Sequence, residues 1–361
     1  VRPAPGGGTP RAARCRPKGV GRLSGLGRYA VSRLVVTVPM LLVLLTVVFL
    51  VLRVMPGDPA QAILGGRNVP PETAAALRAR LGLDEPLPLQ YVHYLGSVAR
   101  GDLGVSARTG NEVWEDILGK IPATLELAVF AMLVAVPIGL WSGIHASTHH
   151  DQPRDHALRV LNVASFAIFI PWFGMVLQLV FSVFLKWLPV GGRLEVLHLY
   201  TFRGATGLYV LDALLAGNGA VLADALRHLV LPALTLGLLL SGLVGRMSRS
   251  SMLEVLDQEY INAARAKGLS ERRVVYGHAL RNALIPIVTV VGLQFALLMA
   301  GAILTEVTFA WPGLARYLLD SITARDFNAI QGSVVFIALF VTTINLLVDL
   351  AYGILDPRVR Y

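Results

Sequence analysis

Charge is scarce in this chain. Of 361 residues only 15% are Asp, Glu, Lys or Arg, against 55% hydrophobic, whereas soluble domains carry about a quarter charged residues. Mean hydropathy is +0.62. An apolar excess of that size has to face something other than water, and membrane lipid is the partner it implies. Cysteine is scarcer still. Cys15 stands alone, which excludes an intrachain disulfide framework and a cysteine-based zinc site. A phosphate-binding loop of the form Gly-x-x-x-x-Gly-Lys-Ser/Thr is also missing: Gly119-Lys120 is followed by Ile121 and lacks the earlier glycine. Nucleotide chemistry would therefore have to come from another chain.

What is present is a series of long uncharged runs. The first, 34–52, has 19 residues, about 28 Å as a helix at roughly 1.5 Å per residue, enough to cross a bilayer. It is too long for a signal-peptide core and no small-x-small cleavage site follows it, so it reads as a retained span. Five more runs follow at 127–144, 160–185, 229–245, 283–305 and 329–348, the last continuing to Leu355 past Asp349. Hydrocarbon cannot satisfy free backbone donors and acceptors, so each run is expected to be helical, and membrane helices tolerate the internal Pro39, Pro137, Pro171 and Pro232. The fold class predicted is all-α, a polytopic membrane protein of about six transmembrane helices. Residues 1–28, rich in Gly, Pro and Arg, read as a disordered basic cytoplasmic tail, and 29–361 as the transmembrane domain.

The formal charge of +9 invites a nucleic-acid reading, but its placement points to the membrane instead. With the N-terminus inside, the inner segments (up to Arg33, 145–159, 246–282 and the C-terminus) hold 19 basic and 7 acidic residues. The outer segments (53–120, 186–228, 306–328) hold 13 basic and 14 acidic. The basic excess belongs on the cytoplasmic side, which places both termini there. Within the outer segment 53–120, helical spacing predicts a short helix from Pro71 to Leu83 and a second from Leu89 to Val98, separated by the breaker Asp84-Glu85-Pro86-Leu87-Pro88.

The most informative stretch lies on the basic side, in the loop 246–282 between the fourth and fifth runs. Leu253, Leu256, Tyr260 and Ala264 recur every three to four residues and mark one apolar helix face. Gly268 after Lys267 suits a left-handed helix end with a cation in the last turn. Ser270 then stands where it can cap a second helix, with Glu271 in its first turn. Two helices joined by a tight bend are expected here. Such an ordered loop serves either as a docking surface or as a hairpin whose arginines merely fix orientation.

The run Ala263-Ala264-x-x-x-Gly268 followed by Leu284-Ile285-Pro286 resembles the EAA loop of bacterial ABC-importer permeases. Asn262 stands where many members carry Glu, and Pro286 lies further from Gly268 than in the general pattern. In both respects the chain is similar to the dipeptide/oligopeptide/nickel branch, as it is in Ala264-Arg265-Ala266-Lys267-Gly268 and in His278 through Pro286. Arg53 to Pro59, Leu81-Gly82-Leu83-Asp84, Gly101 to Ser106, Pro122 to Leu127, Trp311-Pro312-Gly313-Leu314 and Leu355 to Tyr361 extend the likeness over nearly everything after the tail. The long outer segment and the C-terminal ending resemble the first of the two permease subunits in such systems. The resemblance implies the following expectations. The chain pairs with a second permease subunit to form the path of a peptide substrate across the bacterial cytoplasmic membrane. Two ATP-binding subunits carry ATP and Mg and dock on Ala263, Ala264, Gly268, Leu269, Ser270, Glu271, Arg272, Arg273 and Tyr276. An extracytoplasmic binding protein delivers the substrate, and this chain performs no covalent chemistry and holds no cofactor. Nickel or another small solute on the same scaffold is the alternative.

His145, His149, His150 and His156 with Asp151 and Asp155 crowd one inner loop, yet their spacing is irregular for a metal site and a solvated loop is the expectation. Glu126 and Asp349 sit at span edges, where anchoring or capping outweighs a substrate role. Gly139, Gly143, Gly174, Gly237, Gly242, Gly292 and Gly301 read as close-packing positions between helices. Arg193, in an outer loop, reads as a surface residue. A proton- or sodium-coupled transporter commonly places an acid or His near mid-bilayer, and no run here contains one.

Overall fold

The computed structural model describes residues 38–51, 72 and 84–355. The N-terminal tail, the segment Arg53 to Pro59, the helix expected from Pro71 to Leu83 and the final residues after Leu355 lie outside the described residues. Within them the fold is helical, with no strand beyond an isolated bridge between Val105 and Glu112.

The first helices are α1 (Val38–Val51) and α2 (Leu87–Ala99), whose N-cap is Pro86, in the stretch where the breaker was expected. They meet through a 2.6 Å hydroxyl contact between Thr46 and Tyr91 and through Phe49, which stacks on Tyr94 at 5.7 Å. Next come α3 (Val113–Thr148), α4 (Pro153–Ala167) and α5 (Ile170–Leu177), the last running into a π-helical stretch at Gln178–Phe184. Short helices α6 (Val196–Thr201) and α7 (Tyr209–Leu215) lead to α8 (Gly219–Leu256).

α3 and α8, with 36 and 38 residues, are about 54 and 57 Å long. Both overshoot a hydrocarbon core of roughly 30 Å, so the apolar runs 127–144 and 229–245 are only their middles. They pack side by side and parallel. A Cβ at Gly139 would fall 2.6 Å from Val244 Cβ, at Gly143 2.4 Å from Ser248 Cβ, and at Gly237 2.6 Å from Val134 Cβ. The missing side chains let the two backbones approach, which is how small residues associate membrane helices. Gly242 does the same for α4: its Cβ would meet the Asn162 carbonyl at 2.3 Å.

The third run, 160–185, is broken: α4 and the helix beginning at Ile170 meet at 99°. Pro171 explains the break. Its ring would collide with the Ala167 carbonyl and it has no N–H to donate there, so α4 stops at Ala167 and Ile168 and Phe169 turn extended (ψ 130° and 112°).

The chain closes with α9 (Glu259–Ala266), α10 (Glu271–Leu298), α11 (Ile303–Thr308), α12 (Leu314–Thr323) and α13 (Phe327–Leu355). Two apolar clusters mark opposite ends of the bundle. One gathers Val113, Ile117, Leu314, Tyr317 and Ala329; the other gathers Ile144, Val244, Met252, Ile261, Val274 and Ala283. At the first end the loop Gly101 to Ser106 docks on the start of α13: the Ser106 hydroxyl donates to Asp326 Oδ2 at 2.6 Å and Asn328 Nδ2 donates to the Val105 carbonyl at 2.9 Å.

A helical bend as the candidate functional site

The bend between α9 and α10 forms at the second end. Gly268 has φ +76°, a left-handed conformation that a Cβ disfavours. Its N–H donates to the Arg265 carbonyl at 2.9 Å, and the Leu269 N–H donates to the Ala264 carbonyl at 3.4 Å. Those two bonds satisfy the last carbonyls of α9 in a Schellman arrangement. Leu269 packs on the cluster that contains Ala264, supplying its apolar contact. Across the bend Arg265 grips Glu271 with two bonds, at 2.8 and 3.2 Å. The pair is exposed and stabilises little; the turn itself is set by the Gly268 backbone and its two closing bonds.

Ser270 occupies the N-cap position of α10, with its carbonyl accepting from Arg273 at 2.8 Å. Its hydroxyl makes no capping bond, so the expected side-chain cap is corrected to a backbone one. The second helix is also no isolated hairpin arm. α10 runs unbroken from Glu271 through a π-helical stretch at Val274–Ala279 into the apolar fifth run. Burial divides the segment cleanly. Ile261, Ala264, Val274, Val275 and Ala279 are buried against Ile144, Val244 and Met252. Ala263, Ser270, Glu271, Arg272, Arg273 and Tyr276 are exposed, Gly268 is open, and Leu269 is half-buried. One face of the bend is thus fused to the ends of α3 and α8, and the other presents two arginines and a tyrosine to whatever lies beyond.

Three further polar arrangements emerge that local sequence does not reveal. Arg193 is buried, not a surface residue: it is 8% exposed and ion-paired to Glu126, which is 4% exposed. The same guanidinium donates to the Gly207 carbonyl at 2.8 Å and lies 4.1 Å over the Tyr209 ring, while Glu126 also accepts from the Val210 N–H at 2.8 Å. Glu126 therefore anchors the loop 186–210 onto α3. Beside it Trp311, fully buried, donates from Nε1 to the Ala123 carbonyl at 2.8 Å. Glu306 in α11 accepts from the Thr124 hydroxyl at 2.7 Å and the Arg316 N–H at 2.8 Å. Burial pushes its carboxyl up to about 7, against the lowering pull of those donors. Gly313 is required because a Cβ there would fall 2.1 Å from Glu306 Oε1. At the other end Asp155, fully buried, takes a bidentate grip from Arg249 at 2.7 and 2.7 Å, tying α4 to α8. In the histidine loop Asp155 thus holds helices together, with both oxygens engaged.

Comparison with known proteins places the sequence of this chain in a family of transport components. The model for the binding-protein-dependent transport system inner membrane component covers residues 135–361, and the N-terminal model of the same kind of component covers residues 26–128. The chain belongs to that family of inner-membrane permeases and is a multi-pass membrane protein. It is 43% identical over 333 residues, 92% of this chain and 98% of the relative, to the di/tripeptide transport system permease protein DppB of Pseudomonas aeruginosa. It is 41% identical over 335 residues, 92% of this chain and 99% of the relative, to the dipeptide transport system permease protein DppB of Escherichia coli. The probable D,D-dipeptide transport system permease protein DdpB of Escherichia coli is 42% identical over 313 residues, 87% of this chain and 92% of the relative.

Proposed function

We propose that this chain is one of two permease subunits of an ATP-driven importer and that, with a second permease, it lines the path of di- or oligopeptides across the cytoplasmic membrane. The observation that carries this reading is the near full-length identity, above 40%, to permeases named for dipeptide transport. The bend supports the division of labour. ATP and Mg are held by two partner ATPase subunits, which seat on the exposed side of Ala263, Gly268, Leu269, Ser270, Glu271, Arg272, Arg273 and Tyr276. Ala264, on the buried side, ties that surface to the spans. Because α10 is continuous with the fifth span, closure of the ATPase dimer is transmitted to the translocation path without an intervening joint. An extracytoplasmic binding protein delivers the peptide to the opposite end, and this chain makes and breaks no covalent bond. Purified alone, it should neither bind nor hydrolyse ATP; with both ATPase subunits and the second permease in liposomes, it should support uptake of a labelled dipeptide. Nucleotide binding by the isolated chain, or absence of dipeptide uptake by the complete assembly, would refute the assignment.

The basic excess of 19 to 7 on one side supports cytoplasmic termini and a cytoplasmic bend. In a Cys15→Ser background, a cysteine replacing Gly110 should be labelled by a membrane-impermeant maleimide added to intact cells, whereas one replacing Glu271 should react only after permeabilisation. Gly110 is exposed with open space at its Cβ, though its φ of +73° makes the loop strained on substitution; exposed Thr109 serves as a second position. The reverse labelling pattern would invert the topology and detach the bend from its ATPase partners.

A further inference from the structure

At the end of the bundle away from the bend, the loop leading into α6 meets the beginning of α8 through four side chains of metal-binding chemistry. Glu195 is the N-cap residue of α6, His198 lies within α6, and Asp224 and His228 are one turn apart on α8. Ligand atoms of Glu195, His198 and Asp224 all lie within 4.8 Å of one another. His198 Nδ1 is 2.7 Å from Asp224 Oδ2. We propose that Glu195, His198 and Asp224 form a binding site for a divalent first-row transition-metal ion of the zinc class.

The donor set selects that class. One imidazole nitrogen with two carboxylates suits zinc and its first-row neighbours, whereas calcium and magnesium favour all-oxygen shells and copper(I) favours sulfur. The His198–Asp224 pair is close to what such an ion needs, and the exposed Glu195 carboxylate, within 4.8 Å, has to swing inward to join it. Two ligands each about 2.0–2.1 Å from zinc at a tetrahedral angle stand about 3.3 Å apart, so the His198–Asp224 contact has to open by only about half an ångström. The ion takes the place of the hydrogen that now bridges those two atoms, and His198 binds as the tautomer with its proton on Nε2.

The surroundings hold the ligands in place as an outer shell does around bound metals. His228 Nδ1 lies 2.9 Å from the Asp224 carbonyl and 3.1 Å from Asp224 Oδ1, so the ring donates to its own helix and steadies the carboxylate. The Glu195 N–H donates to Asp224 Oδ2 at 2.8 Å. Glu195 is exposed while His198 and Asp224 are half-buried, which leaves an entry path and a coordination position open to water. The other grouping of this kind among the described residues, His150, Asp151 and Asp155, differs in that the Arg249 guanidinium, a permanent cation that an arriving metal would have to displace, binds both Asp155 oxygens, whereas Asp224 is held by a backbone N–H and two imidazoles. An ion at the proposed site clamps α6 to α8 two residues beyond Arg193, and so stiffens the loop that the Glu126–Arg193 pair anchors. The inference stands on these side chains and is independent of which solute the protein carries.

The test uses the untagged full-length chain in detergent, stripped with chelator and titrated with zinc chloride by calorimetry and with cobalt(II) chloride by visible absorption. Wild type should bind zinc and develop cobalt d–d bands. Glu195→Gln, at an exposed position that does not threaten folding, and His198→Ala should each weaken zinc binding by more than tenfold and abolish the cobalt bands. His228→Ala, outside the coordination shell, should weaken it by about 10- to 100-fold and retain the bands. His150→Ala should bind as wild type does. The site is refuted if wild type gives neither heat nor bands. It is equally refuted if Glu195→Gln and His198→Ala variants, monodisperse by gel filtration, bind as wild type does.

Discussion

Gly268→Val should leave the protein inserted in the membrane at wild-type level and abolish peptide uptake, with loss of co-purifying ATPase subunits. The expected effect is large because the site does two things at once. Its φ of +76° places a β-branched residue in the left-handed region at a strain of about 1–2 kcal/mol. Nothing lies within 4 Å of the new Cβ, so the strain is purely backbone and cannot be relieved by moving a neighbour. A large helical protein withstands that loss, but the chain relaxes by turning Gly268 to negative φ. Both bonds that close α9 are then lost, and the exposed faces of α9 and α10 no longer share one plane. Arg203→Ala, at an exposed loop position between α6 and α7, is the control and should leave uptake and docking unchanged. Normal uptake by the Gly268 variant would reduce the bend to a connector.

Arg193→Ala should produce the largest loss of stability. It strands the Glu126 carboxylate, 4% exposed, with the Val210 N–H as its remaining partner among the bonds described. Removing one partner of a buried ion pair costs about 3–5 kcal/mol, and the stacking of the guanidinium on Tyr209 is lost as well. The midpoint of thermal unfolding in detergent should fall by many degrees. The double variant Arg193→Met with Glu126→Leu, which removes both charges and keeps the volume, should recover most of the loss. A midpoint unchanged in Arg193→Ala would mean that the pair contributes nothing.

That ion pair also marks where sequence reasoning stops. The span middles and the bend at Gly268 are written locally: a run of uncharged residues, a glycine after a cation. Each obeys short-range rules and could be read directly. Arg193 follows Gly191-Gly192 in a loop and looks like a surface residue, because its partner lies 67 residues earlier. Asp155 and Arg249 are likewise 94 residues apart. Pro171 was expected to be tolerated inside one span, as Pro137 and Pro232 are in the continuous α3 and α8, yet the chain breaks before it at Ile168 and Phe169. Whether a proline breaks a membrane helix or is absorbed depends on neighbours that local sequence does not name. Ser270 shows the opposite error, a residue of the right type at the right position whose hydroxyl goes unused.

The continuity of α10 has a mechanical corollary. Its 28 residues make a rod about 42 Å long, which on the proposed function is held by the ATPase subunits at the Glu271 end and which carries Pro286 part way along. A tilt of roughly 10° imposed at the gripped end of a straight rod of that length displaces the far end by about 7 Å. Ala279, Ala283 and Ile287 of α10 are buried in the same cluster as Val274 and Val275, so a tilt of that size has to repack or carry along the contact with α3 and α8. The glycine-seamed pair α3 and α8, whose backbones leave no room for added side chains at Gly139, Gly143 and Gly237, is the body on which that end of the rod is mounted.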